Sequence, residues 1–362
     1  MSPMESPESP IPSASASVPI DPTPSPTPVL PTLPGWQVID LAIEDGYAYS
    51  IAESDRGWVA VGTGPTGPGS PAIWFSADGA SWTEVQDVPD QYGGLYDVIV
   101  GGPGFVAFGN NADIDFGAPF AWTSPDGQHW VASDLNGTGA YGLVRGATQF
   151  DDQLLAGGGL LGENGPDYGP PVMWRSMDGA RWTQTVLDTN GVEGADALPP
   201  VEFAGKLVTL GSGYHPPVGR VWQSVDGVAW QLQPDDPVWV NASLSNVAVL
   251  GERLVVVGDV SQDAPYTGRP AIWTSVDAQT WTSQYLGPCC AAITWVMKYG
   301  EGGIALGNTV VYTSADGRTW DFAGTIANFH GRVVKLVNTR TYGPVAIGQV
   351  ADSSVLLVPP SA

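Results

Sequence analysis

Apolar residues fall in short bursts along this chain, and the bursts recur. GWVAVG (57–62), GFVAFG (104–109), DQLLAGG (152–158), GKLVTLG (205–211), ERLVVVG (252–258), GGIALG (302–307) and GPVAIG (343–348) each close on glycine. A second apolar stretch lies upstream of each, as in YDVIV (96–100), LSNVAVL (244–250) and RVVKLV (332–337). Short apolar runs bounded by Gly, Pro, Asn and Asp read as β-strands.

Downstream of six of these pairs the same nine residues return. They read WFSADGASW (74–82), WTSPDGQHW (122–130), WRSMDGARW (174–182), WQSVDGVAW (222–230), WTSVDAQTW (273–281) and YTSADGRTW (312–320). The Ser positions are separated by 48, 52, 48, 51 and 39 residues, periods that predict propeller blades. Each unit predicts four strands: an inner A, then B, then C carrying the first aromatic residue, then D opening on the second Trp. The seventh unit stops after its C strand (354–360), and GWQVIDL (35–41) resembles the missing D strand. The expectation is therefore an all-β, seven-bladed propeller of four-stranded antiparallel blades over 35–362. Its last blade is closed by the N-terminal strand 36–41, which removes the open edges of the ring.

Asp-Gly is a strong hairpin signal, because Gly accepts the positive φ of a tight turn. In this reading the Ser and Asp of each copy bond the turn backbone, and the Trp wedges between blades. The structural set is Ser76, Asp78 and Trp82; Ser124, Asp126 and Trp130; Ser176, Asp178 and Trp182; Ser224, Asp226 and Trp230; Ser275, Asp277 and Trp281; Ser314, Asp316 and Trp320. Eleven of the 15 Trp belong to these copies, and six repeats around a ring argue for a fold element. The pattern resembles the Asp-box, or bacterial-neuraminidase repeat, of sialidase-like propellers. It differs in spacing, reading Ser-x-Asp-Gly-x-x-Trp, and has Ala278 in place of Gly in the fifth copy. The repeats also resemble those of photosystem-assembly-factor-like propellers, a resemblance that implies protein binding.

Charge narrows the partners. Lys and Arg total 13 against 37 Asp and Glu, a formal charge of −24. Such a surface repels phosphate backbones and anionic lipids, so nucleic acid is an unfavourable partner. No apolar run is long enough to span a bilayer. Residues 1–34 are rich in Pro, Ser and Thr and are expected to form a disordered linker. Linkers of this kind tether secreted domains, so the expected location is extracytoplasmic, with the export signal upstream of Met1. A monomer is expected.

Function is expected at the face that carries the B–C and D–A loops, opposite the A–B turns and C–D hairpins. Counting back from the B-strand Gly, Asp97, Arg145, Asn246 and Trp295 fall at similar positions near the start of A strands. They form either a ligand site at the funnel mouth or the lining of a wet channel. Tyr214, His215, Trp239 and Trp295, with Tyr168 and Tyr266, either stack sugars or anchor the blades. Trp58 aligns with Phe105 of the next blade and is expected in the core. Asp113 and Asp115 are a weak calcium hint without the full loop pattern, so no cofactor is expected. Cys289 and Cys290 are adjacent: either free thiols or a strained vicinal disulfide.

The sialidase resemblance implies an arginine cluster, a Tyr–Glu pair and a loop Asp. Its Arg-Ile-Pro signature is absent, its active members have six blades, and only Arg145, Arg220, Arg269 and Arg332 are placed to approach the funnel. No nucleophile motif accompanies His129, His215 or His330. The expected function is a non-catalytic propeller binding a protein or glycan at the loop face. A glycoside hydrolase of the exo-α-sialidase type is the alternative.

Overall fold

The computed structural model describes residues 31–362, apart from 44–45, 65–68, 112–116, 134, 136–141, 162–167, 193, 215–216, 262–267, 288–291, 352, 362 and the side chains of Tyr168 and Tyr214. His215, Tyr266, Asp113, Asp115, Cys289 and Cys290 lie outside the described residues.

The described strands form seven separate sheets, one for each repeat. Blade 1 shows the plan: A is Tyr47–Ser54, B is Gly57–Thr63, C is Pro71–Ser76 and D is Thr83–Glu84, paired in that order. Blades 2 to 6 repeat it, with A strands at Gly94–Gly101, Gly142–Phe150, Ala195–Ala197 with Val201–Phe203, Ala242–Leu250 and Trp295–Tyr299. Blade 7 takes Arg332–Thr339, Gly343–Val350 and Ser353–Val358 from the end of the chain. Its fourth strand is Gln37–Asp40, antiparallel to the third with Gln37 opposite Val358 and Asp40 opposite Val355. The closure read from the sequence is thus present. One addition was not foreseen: Thr32 and Leu33, inside the Pro-rich stretch, pair in parallel with Thr325 and Ile326 on the outer edge of blade 6.

In blades 1 to 5 the glycine late in the B strand has a steric cause. The paired A strand is irregular at this level, and its carbonyl closes over the glycine. A Cβ on Gly62, Gly109, Gly158, Gly211 or Gly258 would come within 1.7–2.1 Å of the carbonyl oxygen of Tyr47, Gly94, Leu143, Asp196 or Ser243. No side chain survives that distance. In blades 1, 2, 3, 5 and 7 the irregularity is a one-residue bulge, between Ala48 and Ser50, Leu95 and Asp97, Val144 and Gly146, Leu244 and Asn246, and Val333 and Lys335. A bulge re-aims the side chain of its extra residue. In blade 4 the Leu198–Pro200 stretch interrupts the A strand, because Pro199 and Pro200 have no N–H to give the ladder.

The repeated hairpins behave as stitches. In every copy the Ser hydroxyl donates to the Asp Oδ1 at 3.0–3.2 Å and accepts the N–H three residues on at 2.8–2.9 Å. The same Asp oxygen accepts the N–H groups two and three residues beyond it, at 2.7–3.0 Å. In four copies the closing Trp donates Nε1–H to the carbonyl of the turn glycine. Trp174 and Trp182 pack with Val106, Phe108 and Ala121 of the preceding blade, and Trp273 and Trp281 pack against Val208 and Leu210 in the same way. The core is therefore a series of wedges between blades. Trp58 is buried, as expected.

Candidate functional site

The A strands surround a cavity of about 940 Å³, lined among others by Asp97, Arg145, Asn246, Trp295 and Lys335. Four of these five were singled out from the sequence. Register corrects one of them. Asp97, Asn246 and Trp295 each pair with the residue just before the B-strand glycine, namely Phe108, Val257 and Leu306. In blade 3 that place belongs to Gly146, opposite Gly157, and Arg145 is the extra residue of the bulge. The blade 3 run ends in two glycines, and counting from Gly157 instead of Gly158, the one equivalent to Gly109 and Gly258, misplaced Arg145 by one. The same register adds Ser50 and Lys335, opposite Val61 and Ile347, which the sequence reading did not select.

Several of these side chains join blade to blade. Ser50 Oγ accepts the N–H of Val98 at 3.2 Å, Asp97 Oδ2 that of Ala147 at 3.2 Å, and Asn246 Oδ1 that of Val296 at 3.1 Å. Ser50 Oγ also donates to Asp97 Oδ1 at 3.0 Å, and Lys335 Nζ forms an ion pair with the same oxygen. One residue along, Arg145 pairs through Nε with Asp196 of blade 4. Asp97 and Asp196 are buried, with side chains 8 % and 4 % exposed, whereas Arg145 is 42 % exposed. A buried carboxylate requires such a partner, since an unpaired charge in the interior is costly. The result is an arc of two acids and two cations running from blade 7 through blades 1 to 3 to blade 4. Asn246 and the half-buried Trp295 occupy blades 5 and 6.

Trp239 is not an open platform. Asp236 accepts the N–H of Val238 at 2.9 Å and caps a short 3₁₀ turn over Pro237–Trp239. The turn drives the indole inward, where it lies 3 % exposed against Trp273 and Trp281, at centroid distances of 5.5 and 4.9 Å. The Pro-Val-Trp stretch reads as a loop in sequence, and only the cap reveals the inward direction.

The other funnel arginines do not converge with Arg145. Arg220 is buried and pairs with Asp235 at 2.9 Å, Arg269 lies 4.9 Å from the Tyr285 ring centre, and Arg332 bonds Gln349. Asp259, at the loop end of the blade 5 B strand, has its carboxyl pushed up by burial. Among the described residues no three His, Cys, Asp or Glu side chains group as metal ligands, and no helix is long and apolar enough to cross a membrane.

No family model matches the chain, and no curated protein matches it. Solved structures do. The GH93 α-L-arabinofuranosidase of Fusarium graminearum, in complex with arabinobiose, is 12 % identical over 90 % of this chain and 97 % of that one, with a TM-score of 0.52. The extracellular domain assigned to a hybrid two-component system of B. thetaiotaomicron is 10 % identical over 89 % of this chain and 42 % of that one, TM-score 0.60. The acylaminoacyl peptidase of Pyrococcus horikoshii is 9 % identical over 87 % and 51 %, TM-score 0.54. At these identities the likeness is one of fold, which hosts unrelated chemistries. The chain is an all-β propeller of seven blades whose central channel is ringed by its A strands.

Proposed function

We propose that this propeller is directed at glycans, which it takes up at the loop-face mouth of its channel. The observation that carries the reading is the joining of Trp295 with the Asp97–Lys335 and Arg145–Asp196 pairs around one cavity. A sugar presents a weakly polar C–H face and a rim of hydroxyls. An indole face suits the first, and fixed charged donors and acceptors suit the second. The arabinofuranosidase, whose fold matches along nearly the whole of both chains and which holds arabinobiose, lends support to a glycan and to hydrolysis of its linkage.

A purely binding propeller is the second reading. It draws support from the two channel carboxylates, each already engaged by a cation. The extracellular neighbour is consistent with an extracytoplasmic location in either case.

A glycan array combined with aryl-arabinofuranoside and fluorogenic sialoside assays separates these readings. Turnover that is lost in Arg145→Ala selects the hydrolase. Saturable binding without turnover, weakened about tenfold or more by Trp295→Ala, selects the binder. Neither turnover nor binding across the array overturns the proposal.

A further inference from the structure

A second, smaller cavity of about 280 Å³ lies at the seam between blades 7 and 1, where the ring is closed. Tyr47, Tyr49, Arg332, Gln349 and Ala351 line it. Its chemistry differs from that of the channel. Arg332 heads the A strand of blade 7 and is exposed. Its Nε and Nη2 both donate to one neutral oxygen, Gln349 Oε1, at 2.9 and 2.7 Å. A guanidinium carries five N–H donors. Three are therefore left without a protein acceptor among the described residues, and none of the ion pairs there involves Arg332. What sets Arg332 apart is its place on the lining of a cavity with its side chain fixed by a buried glutamine.

The guanidinium is held rather than loose. Gln349 is buried, and its Nε2 reaches the carbonyl of Ala48 at 3.5 Å in the next blade. The opposite wall is held too. Tyr49 is the extra residue of the blade 1 bulge, and its ring leans on that of Tyr96, the extra residue of the blade 2 bulge, at a centroid distance of 5.5 Å. A preorganised fork facing an aromatic wall matches a planar carboxylate carried on a compact, partly apolar ring.

We infer that this seam cavity is a binding site for one carboxylate-bearing sugar residue, a uronic acid unit, separate from the channel site. The chain's net negative charge opposes any anion at long range. Screening confines that field to about 8 Å at physiological ionic strength, so the adjacent guanidinium decides the local sign.

Methyl β-D-glucuronide and methyl β-D-glucoside share a ring and differ in carboxylate against hydroxymethyl. Titration of the full chain with each, followed by calorimetry and amide chemical shifts, tests the inference. The glucuronide is expected to bind at least about tenfold more tightly, a margin of about 1.4 kcal/mol. The preference should fall to within about twofold in Arg332→Gln and take an intermediate value in Arg332→Lys, which keeps charge but loses the fork. Thermal melts check that both variants fold, and the lysine variant alone suffices if the glutamine variant does not. The preference should persist in Trp295→Ala, so loss of channel binding leaves this result standing. Equal affinity for the two sugars, no binding of either, or a preference unchanged by Arg332→Gln and Arg332→Lys overturns the inference.

Discussion

Lys335 of blade 7 and Asp97 of blade 2 stand 238 positions apart and form an ion pair in the channel, passing blade 1 between them. Asp97 also takes the Ser50 hydroxyl and the Ala147 N–H, so its removal breaks contacts to three other blades. Asp97→Ala leaves a lysine ammonium in a largely buried place without its counter-charge, and should cost about 3–5 kcal/mol. Lys335→Met leaves Asp97 two of its partners and should cost less, about 1–3 kcal/mol. The double variant Asp97→Ala/Lys335→Met should recover part of the single Asp97→Ala loss, since no unpaired ammonium remains. Guanidinium unfolding of the three variants measures this, and additive single and double losses would show that the pair does not couple.

Ala278 occupies the turn position held by glycine in the other five hairpins, with φ of 57° where Gly127 and Gly179 have 81° and 73°. The left-handed region costs a non-glycine residue about 1–2 kcal/mol. The Ala278 methyl is, however, buried in the cluster between blades 4 and 5. Its removal forfeits about 0.8 kcal/mol of burial, and glycine adds about 0.4–1 kcal/mol of unfolded-state entropy. The terms cancel, so Ala278→Gly should leave stability within about 0.5 kcal/mol. Gly127→Ala should not: its Cβ would sit 2.7 Å from Val59 Cγ2 in addition to the strain, a loss of about 2 kcal/mol or more. Thermal melts of the two variants give the contrast.

The ring was legible in the sequence because its stitches are local. Ser176, Asp178, Gly179 and Trp182 satisfy one another within seven residues, so the motif carries its own structure. The closing strand was legible because Trp36 to Leu41 repeats the polar-apolar pattern of other D strands. The channel was only partly legible. Its polar residues recur once per blade, but the doubled glycine Gly157-Gly158 shifts the count by one in blade 3, and Lys335 gains meaning only beside Asp97, a contact between distant repeats. Trp239 shows the same limit, since a capped turn rather than local composition sets its direction. The seam cavity needs both ends of the ring and had no single-segment signal.

The hairpin carboxylates make stability depend on acid. Asp78, Asp178, Asp226, Asp277 and Asp316 sit below the ordinary value of 3.8, chiefly because turn N–H groups bond the ionised form. At Asp126 burial pushes upward, but the Gln128 N–H and the His129 side chain and N–H outweigh it and hold the group at about 2. A depressed folded value means stability present above 3.8 and lost as pH falls toward 2. Melting temperature should therefore drop steeply across that window, and less steeply in Asp126→Asn. His129 has the opposite sign: Asp126 raises it, so its contribution is full below 6.5 and fades as pH rises beyond. His129→Gln should remove that shallow neutral-range slope and soften the acid limb only by the Asp126 share, the other five hairpin carboxylates keeping theirs.

Ring closure rests on Gln37–Asp40, and on Leu41, whose N–H bonds the Ser354 carbonyl at 3.0 Å. Leu41 and Ile43 are buried beside Val345, Ile347 and Leu356 in the blade 7 and blade 1 core. Chain beginning at residue 44 would lose both apolar anchors, each worth about 2–5 kcal/mol, and would bare the whole Ser353–Val358 edge. It should aggregate or bind a hydrophobic dye at 25 °C, and a synthetic 35–43 peptide supplied in trans should suppress this. Chain beginning at residue 35 loses the pairing of Thr32 and Leu33 with blade 6, the Thr325 hydrogen bonds to the Pro31 carbonyl and the half-buried Leu33 side chain, and should melt within several degrees of the full chain. If the 44–362 chain proved as stable and monomeric as the 35–362 chain by melting and gel filtration, the N-terminal strand would be an ornament on a ring that closes by its other contacts.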